Sequence, residues 1–302
     1  MTSSTLSLAG LFPPIPTPFE PEGDVARAAL RANLKRWDRW PLQGYVVGGS
    51  NGEFVLLTPE ERLSVVELVR GAADRARLVI GGAGAESTKE SIQLATAMAA
   101  RGVDAVLVVS PSYYKSQMTA AAYVEHYTRV ADASPVPVIL YNVPANTGIN
   151  IPLDAVVELA QHPNIAGMKD SGGDIVRMSE VLRQVPGDFQ VLAGSASFLL
   201  PALSVGAVGA VSALANVAAP QLASLMEAFQ AGNLAEARAL QHLMMAPNRA
   251  VTAQFGVPGL KAAMEMVGFY GGPTRGPLIP LSDDDRSSLE RILDQAGLLP
   301  VE

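Results

Sequence analysis

The 302-residue sequence predicts an α/β protein, a parallel (β/α)8 TIM barrel with a C-terminal helical appendage. Eight short apolar segments alternate with helical segments, at a regular spacing and without a long linker. A doubly wound sheet needs only about five or six such units, so eight strands favour the barrel. The chain beyond the eighth strand is longer than one closing helix requires. We therefore expect a barrel carrying the active site over residues 1–219, and a closing helix with the appendage over 220–302.

The strands are predicted from apolar runs that end in turn residues. Strands buried on both faces read as continuous apolar runs, as they do in parallel sheets. The predicted strands lie at 8–15, 44–49, 78–82, 104–109, 136–141, 164–169, 189–193 and 207–212.

The helices are predicted from apolar residues at helical spacing and from start signals. Thr58 precedes Pro59 and two acids, and Ser87 precedes Glu90 by three residues, which is a capping-box pattern. The predicted helices lie at 26–39, 58–74, 87–101, 119–134, 153–161, 175–184 and 197–205, and in the appendage at 221–230, 234–245, 260–266 and 283–296.

Composition excludes several classes of function. A net charge of -7 argues against nucleic acid or an anionic membrane as a partner. The chain has no cysteine, so disulfides, thiolate metal sites and cysteine nucleophiles are excluded. His126, His162 and His242 are too scattered to form a metal site, and we expect no metal and no cofactor.

Two features bear on localisation. Residues 1–10 lack the basic and apolar regions of a signal peptide and the arginines of a transit peptide, so we expect a cytoplasmic protein. Residues 189–226 carry no charge, which imitates a membrane helix. Prolines and glycines divide that stretch into strand-like runs around a short helix, which favours a buried part of the barrel over a membrane span.

Lys169 is the residue on which the functional hypothesis depends. It ends an apolar strand, whereas the other four lysines lie in charged helical or loop-like contexts. Desolvation lowers the pKa of a lysine, and the neutral amine forms a Schiff base with a carbonyl. Taken alone, such a lysine more often reaches solvent or pairs with a neighbour such as Asp170. The hypothesis therefore depends on the residues that accompany it.

Catalytic groups of a (β/α)8 barrel lie at the C-terminal ends of the strands. The set at those positions contains one amine, three phenols and hydroxyls, but no carboxylate cluster and no histidine. It suits imine chemistry on a 2-oxo acid, in which Lys169 attacks the ketone and a phenol transfers protons. Backbone N–H groups of the 49–52 loop can hold a carboxylate. The residues are Ser50, Asn51, Tyr113, Tyr114, Tyr141, Lys169, Gly194 and Ser195.

Four motifs resemble the dihydrodipicolinate synthase/N-acetylneuraminate lyase family of class I aldolases. They span the barrel in the family's order and comprise GSNGE at 49–53, Ser110-Pro111 followed by Tyr113, YNVP at 141–144 and GMKDS at 167–171. A closer resemblance is to 4-hydroxy-2-oxoglutarate aldolase, through VPANTG at 143–148, QHPNI at 161–165, GMKDSGGD at 167–174, FQVLAGSA at 189–196, ALANV at 213–217, FGVPGLK at 255–261 and YGGP at 270–273.

The resemblance implies a role for each site residue. Lys169 would be the Schiff-base lysine and Tyr141 the proton-transfer phenol. Ser50 and Tyr113 would extend the proton relay, with Tyr113 reaching into a neighbouring subunit of a homotetramer built as a dimer of dimers. Substrate contacts would come from Ser50, Asn51, Ser171 and Gly194. The substrate would be pyruvate or a related 2-oxo acid.

One departure separates the candidate reactions. Dihydrodipicolinate synthases resemble one another in carrying an arginine where this chain has Asn146, and usually threonines at 50 and 51. Loss of a bidentate carboxylate clamp disfavours condensation with aspartate semialdehyde. We therefore expect cleavage of 4-hydroxy-2-oxoglutarate or a similar acid. The alternatives are dihydrodipicolinate synthase, a 2-oxo-3-deoxy sugar-acid aldolase or dehydratase, and a catalytically silent 2-oxo acid sensor, which Lys169 and Tyr141 argue against.

Overall fold

The computed structural model describes residues 6–300, in which eight parallel strands form one sheet. Their order is β1-β8-β7-β6-β5-β4-β3-β2, so strands adjacent in the chain are adjacent in space. Ile15 N–H donates to Val46 O at 3.0 Å, which draws β1 against β2 and nearly closes the ring. The predicted (β/α)8 barrel is confirmed. The strands are β1 (Gly10–Phe12), β2 (Gly44–Val47), β3 (Leu78–Gly82), β4 (Ala105–Val109), β5 (Val138–Asn142), β6 (Ile165–Asp170), β7 (Gln190–Ala193) and β8 (Gly209–Val211).

Helices follow the strands and continue into the C-terminal appendage. At α2 the Thr58 hydroxyl accepts from Glu61 N–H and the Glu61 carboxylate accepts from Thr58 N–H, which is the complete capping box. The helices are α1 (Arg27–Trp37), α2 (Pro59–Ala72), α3 (Thr88–Ala99), α4 (Ala120–Ala133), α5 (Pro144–Thr147), α6 (Leu153–Leu159), α7 (Ile175–Gln184), α8 (Leu199–Ser204), α9 (Ala215–Gln230), α10 (Leu234–Arg249), α11 (Gly256–Met266) and α12 (Asp283–Gln295).

The fold buries two separate apolar clusters. The smaller one fills the barrel interior and includes Phe12, Val46, Ile139, Tyr141 and Leu192. The larger one lies between the strands and the surrounding helices. Alternate residues of one strand therefore enter different cores, which explains why the strand sequences are apolar throughout. This arrangement decides which side chains reach the barrel interior.

Several predicted boundaries differ from the structure. Pro144–Thr147, expected as part of a loop, is the one-turn helix α5. Helix α9 begins at Ala215 and not near residue 221, because a break at Ala218, with φ -141° and ψ 35°, lets Pro220 follow it. The expected division between residues 219 and 220 falls inside this helix.

The appendage packs against the start of the barrel. The Asn33 amide donates to Tyr270 O at 2.8 Å and its carbonyl accepts from Tyr270 N–H at 2.9 Å. Trp37 stacks on Phe269 with ring centroids 5.1 Å apart. Among the described helices, none is both long and apolar enough to cross a membrane. The uncharged stretch 189–226 instead forms β7, α8, β8 and much of α9.

Candidate active site

The centre of the site is the contact between Lys169 and Tyr141. These residues are register partners on β6 and β5, so both side chains point into the barrel. Both are buried, and the Lys169 Nζ lies 4.0 Å from the centroid of the Tyr141 ring. No carboxylate within residues 6–300 forms an ion pair with Lys169. An amine without a paired anion is available as a nucleophile.

Asp170, the alternative partner of Lys169 named in the sequence analysis, hydrogen-bonds to other groups. Its Oδ1 accepts from the Asn142 amide at 2.9 Å and from Gly172 N–H at 2.8 Å. Asn142 Oδ1 in turn accepts from Ile151 N–H at 3.0 Å. This buried network joins the ends of β5 and β6. Tyr141 directly precedes Asn142, and Lys169 directly precedes Asp170. The network therefore holds Tyr141 and Lys169 side by side.

Tyr141 is chemically suited to proton transfer. Burial acts to raise the pKa of its phenol, but the positive charge of Lys169 and hydrogen bonding with Ser50, Lys169 and Ser171 outweigh burial, so the pKa is lowered. A phenol with a lowered pKa is a better partner for proton exchange near neutral pH. Three of the sequence-predicted residues, Ser50, Lys169 and Ser171, therefore lie near enough to Tyr141 to lower the pKa of its phenol.

The loop after β2 forms a short turn whose first N–H groups are free, within the described chain, to bind a ligand. Ser50–Gly52 is a single 3₁₀ turn, in which Gly52 N–H donates to Gly49 O at 2.9 Å and Glu53 N–H donates to Ser50 O at 3.1 Å. Within residues 6–300, the N–H groups of Ser50 and Asn51 find no backbone or side-chain acceptor. Two adjacent unpaired N–H groups at the start of a turn are suited to hold a carboxylate.

Gly194 lies directly beside Ser171. A Cβ at position 194 would come within 1.9 Å of the Ser171 Oγ, so only glycine leaves space for that hydroxyl beside Tyr141. The next residue, Ser195, accepts from the Asn248 amide of α10 at 3.0 Å. The sequence analysis did not identify Asn248, because its contact depends on the packing of α10 and not on a local motif.

Tyr113 does not join the others within one chain. Its side chain is 78% exposed and packs edge-on against Tyr114, with ring centroids 5.1 Å apart. The Glu86 carboxylate accepts from Tyr113 N–H at 2.9 Å, which fixes the backbone and leaves the phenol in solvent. Its predicted role in a neighbouring subunit stays a prediction.

Lys261 was placed wrongly by the sequence analysis, which took Lys169 as the only lysine in an apolar context. It is 2% exposed, inside the appendage helix α11. The Lys261 Nζ lies 2.6 Å from Glu53 Oε1 and donates to Pro273 O at 2.7 Å. Its partner Glu53 is far away in the sequence. The only sequence signal for this pair was Glu53 itself, because an acid within the glycine-rich 49–53 loop needs a cation if it is buried.

A cavity of about 680 Å³ opens at the opposite end of the barrel, beside Leu78, Ile165 and Gln190 at the strand starts. It contains neither Lys169 nor Tyr141, and in this fold the N-terminal end serves stability and not catalysis. Within the described chain, no three histidine, aspartate or glutamate side chains are grouped as metal ligands would be. The site is therefore placed at the C-terminal end, around Lys169.

The fold and these side chains together define a class of protein. Its members are (β/α)8 barrels with a buried lysine near the C-terminal end of a strand, here β6. Residues 7–296 match the dihydrodipicolinate synthetase family, and the chain belongs to that family. Its members are carbon–carbon lyases, as predicted. An uncharacterized DapA-like lyase of Halobacterium salinarum is 39% identical over 294 residues, covering 97% of this chain and 96% of that protein.

Solved structures agree with this assignment. Dihydrodipicolinate synthase DapA-2 of Bacillus anthracis superposes with a TM-score of 0.92 at 32% identity, covering 98% of this chain and 100% of that one. The chloride-inhibited dihydrodipicolinate synthase of Acinetobacter baumannii, in complex with pyruvate, gives a TM-score of 0.92 at 29% identity and covers 97% and 100%. These similarities define the family and the fold and leave the substrate open.

Proposed function

We propose that this protein is a class I aldolase that reversibly cleaves 4-hydroxy-2-oxoglutarate, or a similar 2-oxo acid, to pyruvate and an aldehyde. The observation that carries the proposal is the contact of the Lys169 Nζ with the Tyr141 ring at 4.0 Å, without a carboxylate paired to the amine in residues 6–300. A nucleophilic amine next to a phenol of lowered pKa is what Schiff-base formation and breakdown require.

The reaction follows from these groups. Lys169 first loses its proton, and its neutral amine then adds to the C2 ketone, while Tyr141 passes protons so that the carbinolamine loses water and becomes an imine. The imine accepts the electron pair of the C3–C4 bond, while the C4 hydroxyl loses its proton and becomes the aldehyde. Protonation of the resulting enamine at C3 and addition of water release pyruvate and the free lysine. The 50–51 N–H groups hold the C1 carboxylate throughout.

Lys115 supports an aldehyde partner that carries its own carboxylate. Its side chain packs on Gly148, where a Cβ would lie 2.9 Å from the Lys115 Cε and 3.3 Å from Nζ. Gly148 directly follows α5, which carries Asn146. Lys115 therefore brings a cation to the region in which dihydrodipicolinate synthases carry their arginine. A single ammonium recognises a carboxylate as a point charge and not through a bidentate pair.

The test is trapping with borohydride. The protein is incubated with pyruvate and borohydride, and intact mass with peptide mapping locates the adduct. We expect one covalent pyruvate adduct, on Lys169, and none in Lys169→Ala. Lys35→Ala, a change on α1 away from the strand ends, is the control and keeps the adduct. A folded wild-type protein without an adduct on Lys169 contradicts the imine mechanism.

The second candidate is dihydrodipicolinate synthase, which is favoured by the names of similar structures. Asn146 argues against it, because an exposed amide on α5 replaces the arginine expected there. Assays on one preparation separate the two candidates: pyruvate formation from 4-hydroxy-2-oxoglutarate, and pyruvate consumption with aspartate semialdehyde. Lys115→Met should weaken the first reaction by about tenfold in kcat/KM, the effect of one charge-assisted contact. An unchanged value means that Lys115 does not contact the substrate. A 2-oxo-3-deoxy sugar acid tested in parallel covers the remaining aldolase or dehydratase alternative.

We also propose a cytoplasmic homotetramer in which Tyr113 completes the relay of a neighbouring subunit. The exposed Tyr113–Tyr114 pair supports this, because two large aromatic side chains in solvent are typical of a contact surface. Sedimentation of wild type and Tyr113→Ala, with cleavage assays on both, tests the assembly and the relay separately.

A further inference from the structure

Glu53 has an unusual conformation for its residue type. Its φ of 56° and ψ of 33° place it in the left-handed region, and among the described non-glycine residues it is the only one with a positive φ. That region costs an ordinary side chain about 1–2 kcal/mol, and glycine or asparagine is the usual solution. The conformation of Glu53 therefore needs a stabilising interaction of its side chain, which is fully buried.

Residues of the appendage supply this interaction. Glu53 Oε1 pairs with the Lys261 Nζ at 2.6 Å, and Oε2 accepts from Arg275 N–H at 2.9 Å. Phe19 lies beside both cations, with its ring centroid 4.4 Å from the Lys261 Nζ and 4.5 Å from the Arg275 Cζ. A buried carboxylate with a cation and a backbone donor on its two oxygens is fixed in position.

Fixing Glu53 also fixes the turn that precedes it. Glu53 is the residue directly after the Ser50–Gly52 turn and closes it through its own N–H on Ser50 O. Gly52 O, on the other side, accepts from the Thr17 hydroxyl at 2.7 Å. The direction of the Ser50 and Asn51 N–H groups therefore depends on the backbone angles at Glu53, and these depend on Lys261 and Arg275.

We propose that Glu53 is a positioning residue for substrate binding, and that Lys261 of the appendage acts through it to aim the 50–51 N–H groups at the substrate carboxylate. The inference rests on the function proposed above. A buried ion pair is by itself weak evidence for a role in stability, because its desolvation offsets much of the attraction. A pair that holds a strained residue beside a binding turn has a reason to be retained.

The experiment compares two ketones that differ in one group. Pyruvate carries the carboxylate and pyruvamide replaces it with a neutral amide, while both present the same ketone to Lys169. The concentration of each that gives half-maximal borohydride trapping on Lys169 is measured by intact mass. The variants are Glu53→Gln with Lys261→Met, which removes both charges together, and Glu53→Asp, which keeps the charge and shortens the reach.

Both variants should need about tenfold more pyruvate for half-maximal trapping, because they lose one well-aimed hydrogen bond to a charged group. The concentration of pyruvamide that they need should be unchanged. If the double variant does not fold, Glu53→Asp still tests the proposal. Leu289→Ala is the matched control, because Leu289 is fully buried in α12 and takes no part in the ion pair or the hydrogen bonds of Glu53 and Lys261. It should lower Tm and leave both concentrations unchanged.

The outcomes separate the two proposals. Equal shifts for pyruvate and pyruvamide mean general damage and overturn the positioning role, as does wild-type behaviour of both folded variants. A wild-type protein that traps neither ketone on Lys169 contradicts the proposed function itself.

Discussion

Lys169 and Lys261 are both buried lysines above an aromatic ring, and their surroundings give them different properties. The Nζ of Lys169 lies 4.0 Å from the Tyr141 centroid, and that of Lys261 lies 4.4 Å from the Phe19 centroid. Lys261 has a carboxylate at 2.6 Å, whereas Lys169 has no such partner in residues 6–300. The ring beside Lys169 carries a hydroxyl, and the ring beside Lys261 does not. These surroundings suit Lys169 for the proposed chemistry and hold Lys261 in an ion pair.

Burial alone therefore does not identify a reactive lysine. Burial lowers the pKa of Lys261 in spite of the opposing effect of Glu53, yet that amine is held by an ion pair and by a hydrogen bond to Pro273 O. What distinguishes Lys169 is the polar group that it meets, a phenol whose pKa it helps to lower. The comparison leads to four predictions, from the largest expected effect to the smallest.

The largest effect is expected on catalysis from Lys169→Ala. Removing the amine removes the covalent route, and we expect cleavage to fall by about a thousandfold or more, since nucleophilic catalysis has no substitute in the site. Stability should fall less than it does when a buried ion pair is broken, because no carboxylate of residues 6–300 is left without its cation. Steady-state kinetics and denaturant unfolding of the same preparation measure both. A variant that retains cleavage removes the distinction between the two lysines.

Tyr141→Phe tests the hydroxyl, which is what separates the two aromatic neighbours. We expect a loss of about 10²–10⁴ in kcat, the range of a general acid–base group, while Lys169 still forms some trapped adduct. Phe19→Leu is the matched change at Lys261. It should lower Tm and leave kcat close to the wild-type value. Equal kinetic losses in the two variants contradict a proton-transfer role for the phenol.

Lys261→Met should affect stability first. It leaves the Glu53 carboxylate buried without its cation, which typically costs about 3–5 kcal/mol of unfolding free energy. Adding Glu53→Gln should recover much of that loss, because the uncompensated charge is then removed as well. Denaturant unfolding of both single variants and the double variant gives the coupling energy. Lys169→Met, the matched change, should show no comparable loss, and a similar loss there means that an unrecognised partner pairs with Lys169.

The sequence predicted one side of this comparison better than the other. Lys169, Tyr141, Ser50 and Ser171 could be placed together because parallel strands bring their C-terminal ends to one face. The partner of Lys261 could not be placed, since Glu53 meets it only through the packing of the appendage against the barrel. The start of α9 was missed for a similar reason, because the break at Ala218 that admits Pro220 is a backbone detail without a sequence pattern.

The smallest effect concerns pH and the Glu61–Arg275 pair, which supports the Lys261 side. Both Arg275 terminal nitrogens donate to the Glu61 carboxylate at 2.7 Å, and these hydrogen bonds lower the pKa of Glu61 below its usual 4.5. Both side chains are partly exposed, so the pair should contribute about 1 kcal/mol.

Because the folded-state pKa is depressed, the contribution of the pair is present above pH 4.5 and is lost as the pH falls through that lowered value. Wild type and Glu61→Gln should therefore differ in unfolding free energy at pH 7 and converge in acid, when both are measured by urea unfolding across the pH range. Lys169→Met and wild type should keep a constant difference over the same acid range, since no carboxylate pairs with Lys169 in the described chain. An acid-dependent difference for Lys169→Met would place a titrating carboxylate beside Lys169, and the two lysines would then differ only in how strongly each is paired.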